Sequence, residues 1–440
     1  MKSWRVLTAV LLAVVSPSLA QETWTQKFPT QSPPGSSPAR MAYDSARQQV
    51  VLFGGINGST FSGDTWVWDG STWTQKFPAT HPSARCCHVM VYDSARSEVV
   101  LFGGNDSSTP YFNDTWVWDG TNWTQRFPAS SPPGRASPGG AYDALHSQFV
   151  LFGGVQFSAI FLGDTWVWDG SNWTQKFPAH SPSARTDIAM AYDTARQQVV
   201  LFSGGGPCIG CTNNDTWGWD GTDWTQKFPS TSPAPRYGSN MAYDTAGQQV
   251  LLFGGNGAPC TPACLGNLGD TWTWDGTNWT QRFPLSSPAG RAGHGMAGDT
   301  ARLQVVLFSG ALAFSTLYDD TWVWGTPFAA QVQPPINADG SSVFNSKRGV
   351  VPVKFTLTKD GSPTCDLPSA TISLFRTSGG TPGMVNEDSY TMPADNGSNF
   401  RVSDCQYVYN LGTSFLGAGT YQVKISIGGA VVGTASFGLD

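Results

Sequence analysis

The triplet Asp-Thr-Trp begins at Asp64, Asp114, Asp164, Asp215, Asp270 and Asp320, so one unit returns after 50, 50, 51, 55 and 50 residues. A period near fifty restricts the chain to a repeat architecture, in which each unit is too small to bury its own apolar faces and must stack on its neighbours. One unit reads Val89-Met-Val-Tyr-Asp93, Val99-Val-Leu-Phe-Gly-Gly104, a variable stretch, Asp114-Thr-Trp-Val-Trp-Asp-Gly120 and Trp123-Thr-Gln-Arg-Phe-Pro128. Each piece has the length of a strand, and the Asp-Gly step between the last two is a hairpin signal. Every unit therefore offers four antiparallel strands, a to d. The 50 Gly and 30 Pro of the 440 residues suit many short strands joined by tight turns, and no segment reads as a long amphipathic helix.

Tryptophan shows how the array ends. Trp66, Trp68 and Trp73 recur as a set in each of the next four units, but the sixth has only Trp322 and Trp324. The missing member stands before the first unit, in Thr23-Trp-Thr-Gln-Lys-Phe-Pro29, a strand d without its blade. A ring closed by its N-terminal strand uses this offset and leaves no sheet edge open. The expected fold is all-β: a six-bladed β-propeller closed by an N-terminal strand, followed by a small β-sandwich.

Through the doublets Gly54-Gly55, Gly103-Gly104, Gly153-Gly154, Gly204-Gly205 and Gly254-Gly255, and the Trp behind them, residues 22 to 328 resemble the kelch-repeat β-propellers. The last unit departs with Ser309-Gly310, and the family's Arg-x-x-His start survives only as Arg85 with His88 and Arg291 with His294. The resemblance implies a galactose-oxidase-like central domain with strand a innermost. Copper radical oxidases of this fold need two Tyr, two His and a Cys joined to one Tyr. The five histidines here (His81, His88, His146, His180 and His294) do not supply that set, so no cofactor is expected.

The repeat stops after Trp324. The domains expected are a secretory signal peptide at 1–20, the propeller at 21–328, a linker at 329–335 and a sandwich at 336–440. The leader reading rests on Lys2 and Arg5, the apolar run Val6 to Val15 and the small-residue site Ser18-Leu-Ala20. In the last domain Val351-Pro-Val-Lys-Phe355 resembles the PxKF-type immunoglobulin-like modules of exported bacterial proteins. Removing Lys2 and Arg5 takes the formal charge from −6 to −8, which disfavours nucleic acid as a partner. No apolar run is long enough for an integral membrane segment in the mature chain.

Eight cysteines in an exported chain point to disulfides. Cys365 and Cys405 are the pair of the second domain. Cys208, Cys211, Cys260 and Cys264 lie in equivalent loops of neighbouring blades, open to local pairing, cross-blade pairing or a zinc site. Cys86-Cys87 reads as a vicinal disulfide or two thiols.

Antiparallel strands put the a–b and c–d turns at one end of the propeller and the b–c and d–a loops at the other. The first end repeats Asp-Ser/Thr-Ala-Arg and Asp-Gly-x-x-Trp; the second differs from blade to blade. A ligand site belongs where the repetition breaks. Candidate contacts there are Arg85, Arg135, Arg185, Arg236 and Arg291 ahead of strand a, with Ser36 in the first blade. As a collar they would bind carboxylates; alternatively, the strand-c aspartates neutralise them between blades. His88 and His294, and the aromatic residues Tyr111, Phe112, Phe157, Phe161, Tyr237 and Tyr318, complete the set. The function expected is recognition of a glycan, acidic in particular, or of an extracellular protein segment. A sugar-acid mutarotase using His88, His294 or Asp187, and a structural or adhesive surface protein, are the alternatives.

Overall fold

The structure, a computed structural model, describes residues 22–440 apart from 107–110, 158, 208–211, 258–265, 313–315, 326–327, 338–339, 346–349, 360–361, 365–369, 379–382, 386–400, 404, 414–415 and 428–429. The described residues form two compact units, Glu22–Pro327 and Phe328–Asp440. The leader expected at 1–20 lies outside them.

In the first unit the repeat becomes six four-stranded antiparallel sheets. Blade 1 is Arg40–Asp44, Gln49–Phe53, Thr65–Trp68 and Trp73–Lys76. Strand a of each blade touches strand a of both neighbours, and the contacts close from Gly295–Asp299 of blade 6 back to Arg40–Asp44. Blade 6 takes its strand d from the N-terminus: Thr23–Lys27 pairs antiparallel with Thr321–Gly325, Trp24 opposite Trp324. The first unit is therefore an all-β, six-bladed kelch-type propeller closed by its N-terminal strand.

Neither face of a blade is wet, so strands b read as continuous apolar runs such as Val50-Val-Leu-Phe53. The core is accordingly six separate apolar layers, one at each interface between neighbouring blades. The blade 1–2 layer packs Val51, Phe53 and Val67 against Val99, Leu101, Trp118 and Trp123. One indole per blade also crosses the interface: Nε1 of Trp73, Trp123, Trp173, Trp224, Trp279 and Trp24 each donates to a strand-c threonine Oγ1 of the preceding blade at 2.9–3.0 Å. Trp24, only 1% exposed and edge-on to Phe253 and Trp324, makes the blade 6–5 bond.

The doublet ends strand b. Gly54 has φ +68°, and a Cβ there would lie 2.5 Å from the Arg85 carbonyl oxygen. Hydrogen bonding corrects the position assigned in blade 4. The Gly204 N–H donates to the Arg236 carbonyl as Gly104 does to Arg135, so the doublet is Ser203-Gly204. Serine holds the first position in blades 4 and 6, at φ +63° and +65°.

The second unit packs two sheets face to face. One orders Phe328–Gln333, Val350–Lys359, Gln406–Gly412 and Arg401–Ser403; the other Val343–Phe344, Ala430–Leu439, Gly419–Ile427, Ala370–Ser378 and Gly383–Val385. Period-two alternation sends Val351, Val353, Phe355 and Leu357 inward against Tyr421, Val423, Ile425 and Ile427 in one core. Residues 329–335, expected as linker, include most of the edge strand Phe328–Gln333. Its alternation, Phe-Ala-Ala-Gln-Val-Gln, is too short to stand out in a sequence.

Truncating Trp24 to Ala should lower propeller stability by about 3–5 kcal/mol, read as a drop in the denaturant midpoint. A chain beginning at Pro29 should associate through the exposed edge of Thr321–Gly325 in size-exclusion chromatography.

A candidate binding face at the end where the blades differ

At the a–b and c–d end, repeated bonds occupy the polar side chains. Asp44, Asp93, Asp193 and Asp299 pair with Arg47, Arg96, Arg196 and Arg302 three residues on, and each Nη1 also donates to a carbonyl of an adjoining blade. His146 takes the arginine's place beside Asp143, Nδ1 to Oδ2 at 2.7 Å. Tyr92, Tyr142, Tyr192 and Tyr43 accept backbone N–H bonds from the preceding blade's turn. Blade 5 differs, because Gly247 replaces the arginine. Gln249 Nε2 there donates to both Asp244 and Glu22 at 3.2 Å. Burial, and then the Asp244 charge, push the Glu22 carboxyl up to about 8.

The opposite end corrects the arginine reading. Arg85, Arg135, Arg185, Arg236 and Arg291 are at most 1% exposed and do not ring the channel mouth. Each guanidinium turns sideways into its own blade and grips the aspartate ahead of strand c with two bonds of 2.5–2.9 Å: Asp114, Asp164, Asp215, Asp270 and Asp320. Nε donates to the carbonyl two residues back and Nη1 to the carbonyl of the first doublet residue. These pairs lie within blades, not between them, and leave no fork for a carboxylate ligand. Burial alone would raise Asp164, Asp215, Asp270 and Asp320, but the arginine bonds and charge more than offset it and hold all four below the usual carboxylate range. Phe112 and Tyr318 are committed too, lying 3.9 and 4.0 Å from the Arg85 and Arg291 guanidinium carbons.

His88 and His294 are wholly buried, not at the mouth. They stand edge-on to Phe53 and Phe253 at 5.7 and 5.5 Å. Burial, reinforced by the neighbouring arginines, holds His88 well below its ordinary value and lowers His294 to about 3. Both are neutral core rings, out of reach as acid/base groups for a sugar acid.

The mouth is formed two residues after each arginine. Cys87, Ser137, Asp187, Gly238 and Gly293 all have positive φ, between 51° and 66°, and Pro38 holds the first-blade position. Their backbone bonds run around the axis: Ser137 N–H to Cys87, Asp187 to Ser137, Gly238 to Asp187, Gly293 to Gly238 and Ala39 to Gly293, at 2.7–3.1 Å. This iris frames a pocket of about 160 Å³ that Tyr237, Asn256 and Asn267 also line. Burial raises the Asp187 carboxyl, while Ser137 and the charge of Arg40 pull it down. Arg40, which sequence reasoning missed, lines the channel and donates Nε–H to the His88 carbonyl at 2.9 Å. The channel, about 320 Å³, carries a ring of Met41, Met90, Met190, Met241 and Met296 in register, with Gly140 at that position in blade 3, and polar groups that include Asn240, Thr194 and Thr300. Tyr111 and Phe157 meet at 6.4 Å, and Phe157 is 66% exposed.

Cys86 and Cys87 are free thiols. Cys405 is disulfide-bonded; Cys365, Cys208, Cys211, Cys260 and Cys264 lie outside the described residues. Among the described residues no cluster of three His, Cys, Asp or Glu is placed to hold a metal, and no helix is long and apolar enough to cross a membrane.

The family described as KLHDC2/KLHL20/DRC7 Kelch-repeats domain matches residues 10–205, through three blades and strand b of the fourth. No curated protein matches the chain. The match and the repeated four-stranded sheets fit a kelch β-propeller, a fold that points to a binding role.

Arg185→Met should cost about 3–5 kcal/mol by stranding Asp215. His294 titrates below its unfolded value of 6.5, so its contribution is whole above pH 6.5 and is lost as pH falls toward 3. Denaturant midpoints measured against pH should show that slope, and His294→Leu should flatten it.

Proposed function

We propose that this chain is an exported recognition protein that binds an extracellular protein segment on the iris and loops at the variable end of its propeller. One observation carries the reading: the other end is occupied by scaffold bonds repeated from blade to blade, whereas the iris presents Pro38, Cys87, Ser137, Asp187, Gly238 and Gly293 on a common backbone frame. A rigid scaffold with side chains varied at one end is how loop-borne recognition is built. With the five arginines internally paired, an acidic glycan has no collar to meet. Exposed Phe157, Ile160 and Leu312 instead favour a partner with apolar side chains.

An adhesive role has one observation of its own. Phe28, Phe77, Phe127, Phe177, Phe228 and Phe283, one per blade just after strand d, are 73–85% exposed. Their sixfold repetition separates them from scattered surface apolar residues.

The test is an array of extracellular protein fragments and glycans probed with residues 21–440 and four variants. For any fragment captured, Tyr237→Ala and Phe157→Ala should weaken binding at least tenfold with little change in melting temperature, and Arg196→Ala should leave binding unchanged. Capture that survives both loop variants but is lost with Phe77→Ala and Phe177→Ala together would assign the adhesive reading instead.

A further inference from the structure

The first blade breaks the arginine rule. Ser36 is the counterpart of Arg85: its carbonyl accepts from Gly310 N–H as Arg135 accepts from Gly104, and Ser37 N–H bonds Ile56 as Cys86 bonds Asn105. The backbone frame of the slot is thus kept while its occupant is missing. A cavity of about 410 Å³ opens there, lined among others by Pro34, Ser36, Gly54, Phe61, Asp64 and Trp66.

Each acceptor that the guanidiniums of blades 2 to 6 share has its counterpart in this lining. Pro34 supplies the carbonyl two residues back, Gly54 the first doublet carbonyl and Asp64 the carboxylate. The donors and acceptors left over show the same absence. In blades 2 to 6 the strand-c indole Nε1 of Trp116, Trp166, Trp217, Trp272 and Trp322 donates to the arginine-bound aspartate at 2.7 Å. Trp66 Nε1 is buried with no partner, and so is the Oγ of Ser36, a residue 5% exposed. Asp64 has turned outward to Gln75 Nε2 at 3.2 Å and is exposed, without an ion pair. Buried polar atoms left unmade are costly, and a carboxylate with two carbonyls around an empty slot matches the donor fork of arginine better than any other side chain.

We propose that blade 1 is a receptor for an arginine side chain of the protein partner, whose guanidinium takes the place that Arg85, Arg135, Arg185, Arg236 and Arg291 fill from within their own blades. Asp64 swings back to accept both the guanidinium and the Trp66 indole. The slot opens at the variable end, beside the loop Ile56 to Gly63, so this extends the reading of a protein-binding propeller by naming one side chain of its partner.

The experiment uses the full mature chain with ¹⁵N-indole-labelled tryptophan and the probe N-acetyl-arginine amide, which has no carboxylate, against its neutral isostere N-acetyl-citrulline amide. Trp66→Phe assigns the reporting resonance. The arginine amide should shift that resonance saturably and bind at least tenfold tighter than the citrulline amide. Ser36→Arg, which installs the residue of the other five blades, should move the Trp66 signal toward those of Trp116 and its counterparts without added probe and abolish probe binding. Asp64→Asn should lose binding at least tenfold with the melting temperature unchanged, since Asp64 is exposed and unpaired by salt bridges. Peptides selected from a random display library on the natural chain should be enriched in arginine, and that enrichment should vanish on Ser36→Arg. Equal binding of the citrulline amide, binding that survives Ser36→Arg, or selected peptides without arginine would overturn the proposal. The amide titration needs no partner, so its failure leaves the iris reading standing, and a failed fragment array leaves the slot standing.

Discussion

A sheet of four short strands with apolar side chains on both faces cannot be stable alone, and every other property of the propeller follows from how that debt is met. Each blade shares one apolar layer with each neighbour, and one indole per interface carries a hydrogen bond across it. The layers are equivalent only if the ring closes. The N-terminal strand therefore belongs to the core as fully as any other strand d, with Trp24 reproducing in blade 6 what Trp73 does in blade 1.

Closure frees the two ends of the blades for different purposes. At one end the turns rivet blade to blade through Asp–Arg pairs that also reach adjoining carbonyls. At the other, arginine ties together the loops and strand ends of a single blade. Because this second device works within blades, removing it from one blade leaves the ring intact, as the Ser36 blade demonstrates. An inter-blade rivet is bridged where its arginine is missing: Gly247 brings Gln249 and Glu22 around Asp244 instead.

Much of the fold was legible because the six units serve as an alignment of the chain with itself: strand order, closure and the location of the variable end all come from spacing. The site was legible only in part. The five arginines stand out as a series, but their direction does not, since nothing in a sequence separates a guanidinium aimed at the axis from one aimed at an aspartate about thirty residues on in its own blade. The iris was invisible for a different reason. Its five left-handed residues are Cys, Ser, Asp, Gly and Gly, a repeated backbone conformation that no shared residue type marks. Arg40 was passed over as the first residue of a strand, although its counterparts Val89 and Gly139 carry no charge.

The pairing of Trp24 with Trp324 also has a meaning in time. Thr23–Lys27 is made before every other strand of the propeller and finds its partner last, after five blades have been made, so Trp24 waits without its buried site for about three hundred residues of synthesis. The seam is thus the most non-local pairing in the ring and the step that commits the molecule to its final form. Any quality control acting on this protein during biogenesis will see, at the N-terminal strand, a single place that reports whether the whole circle was completed.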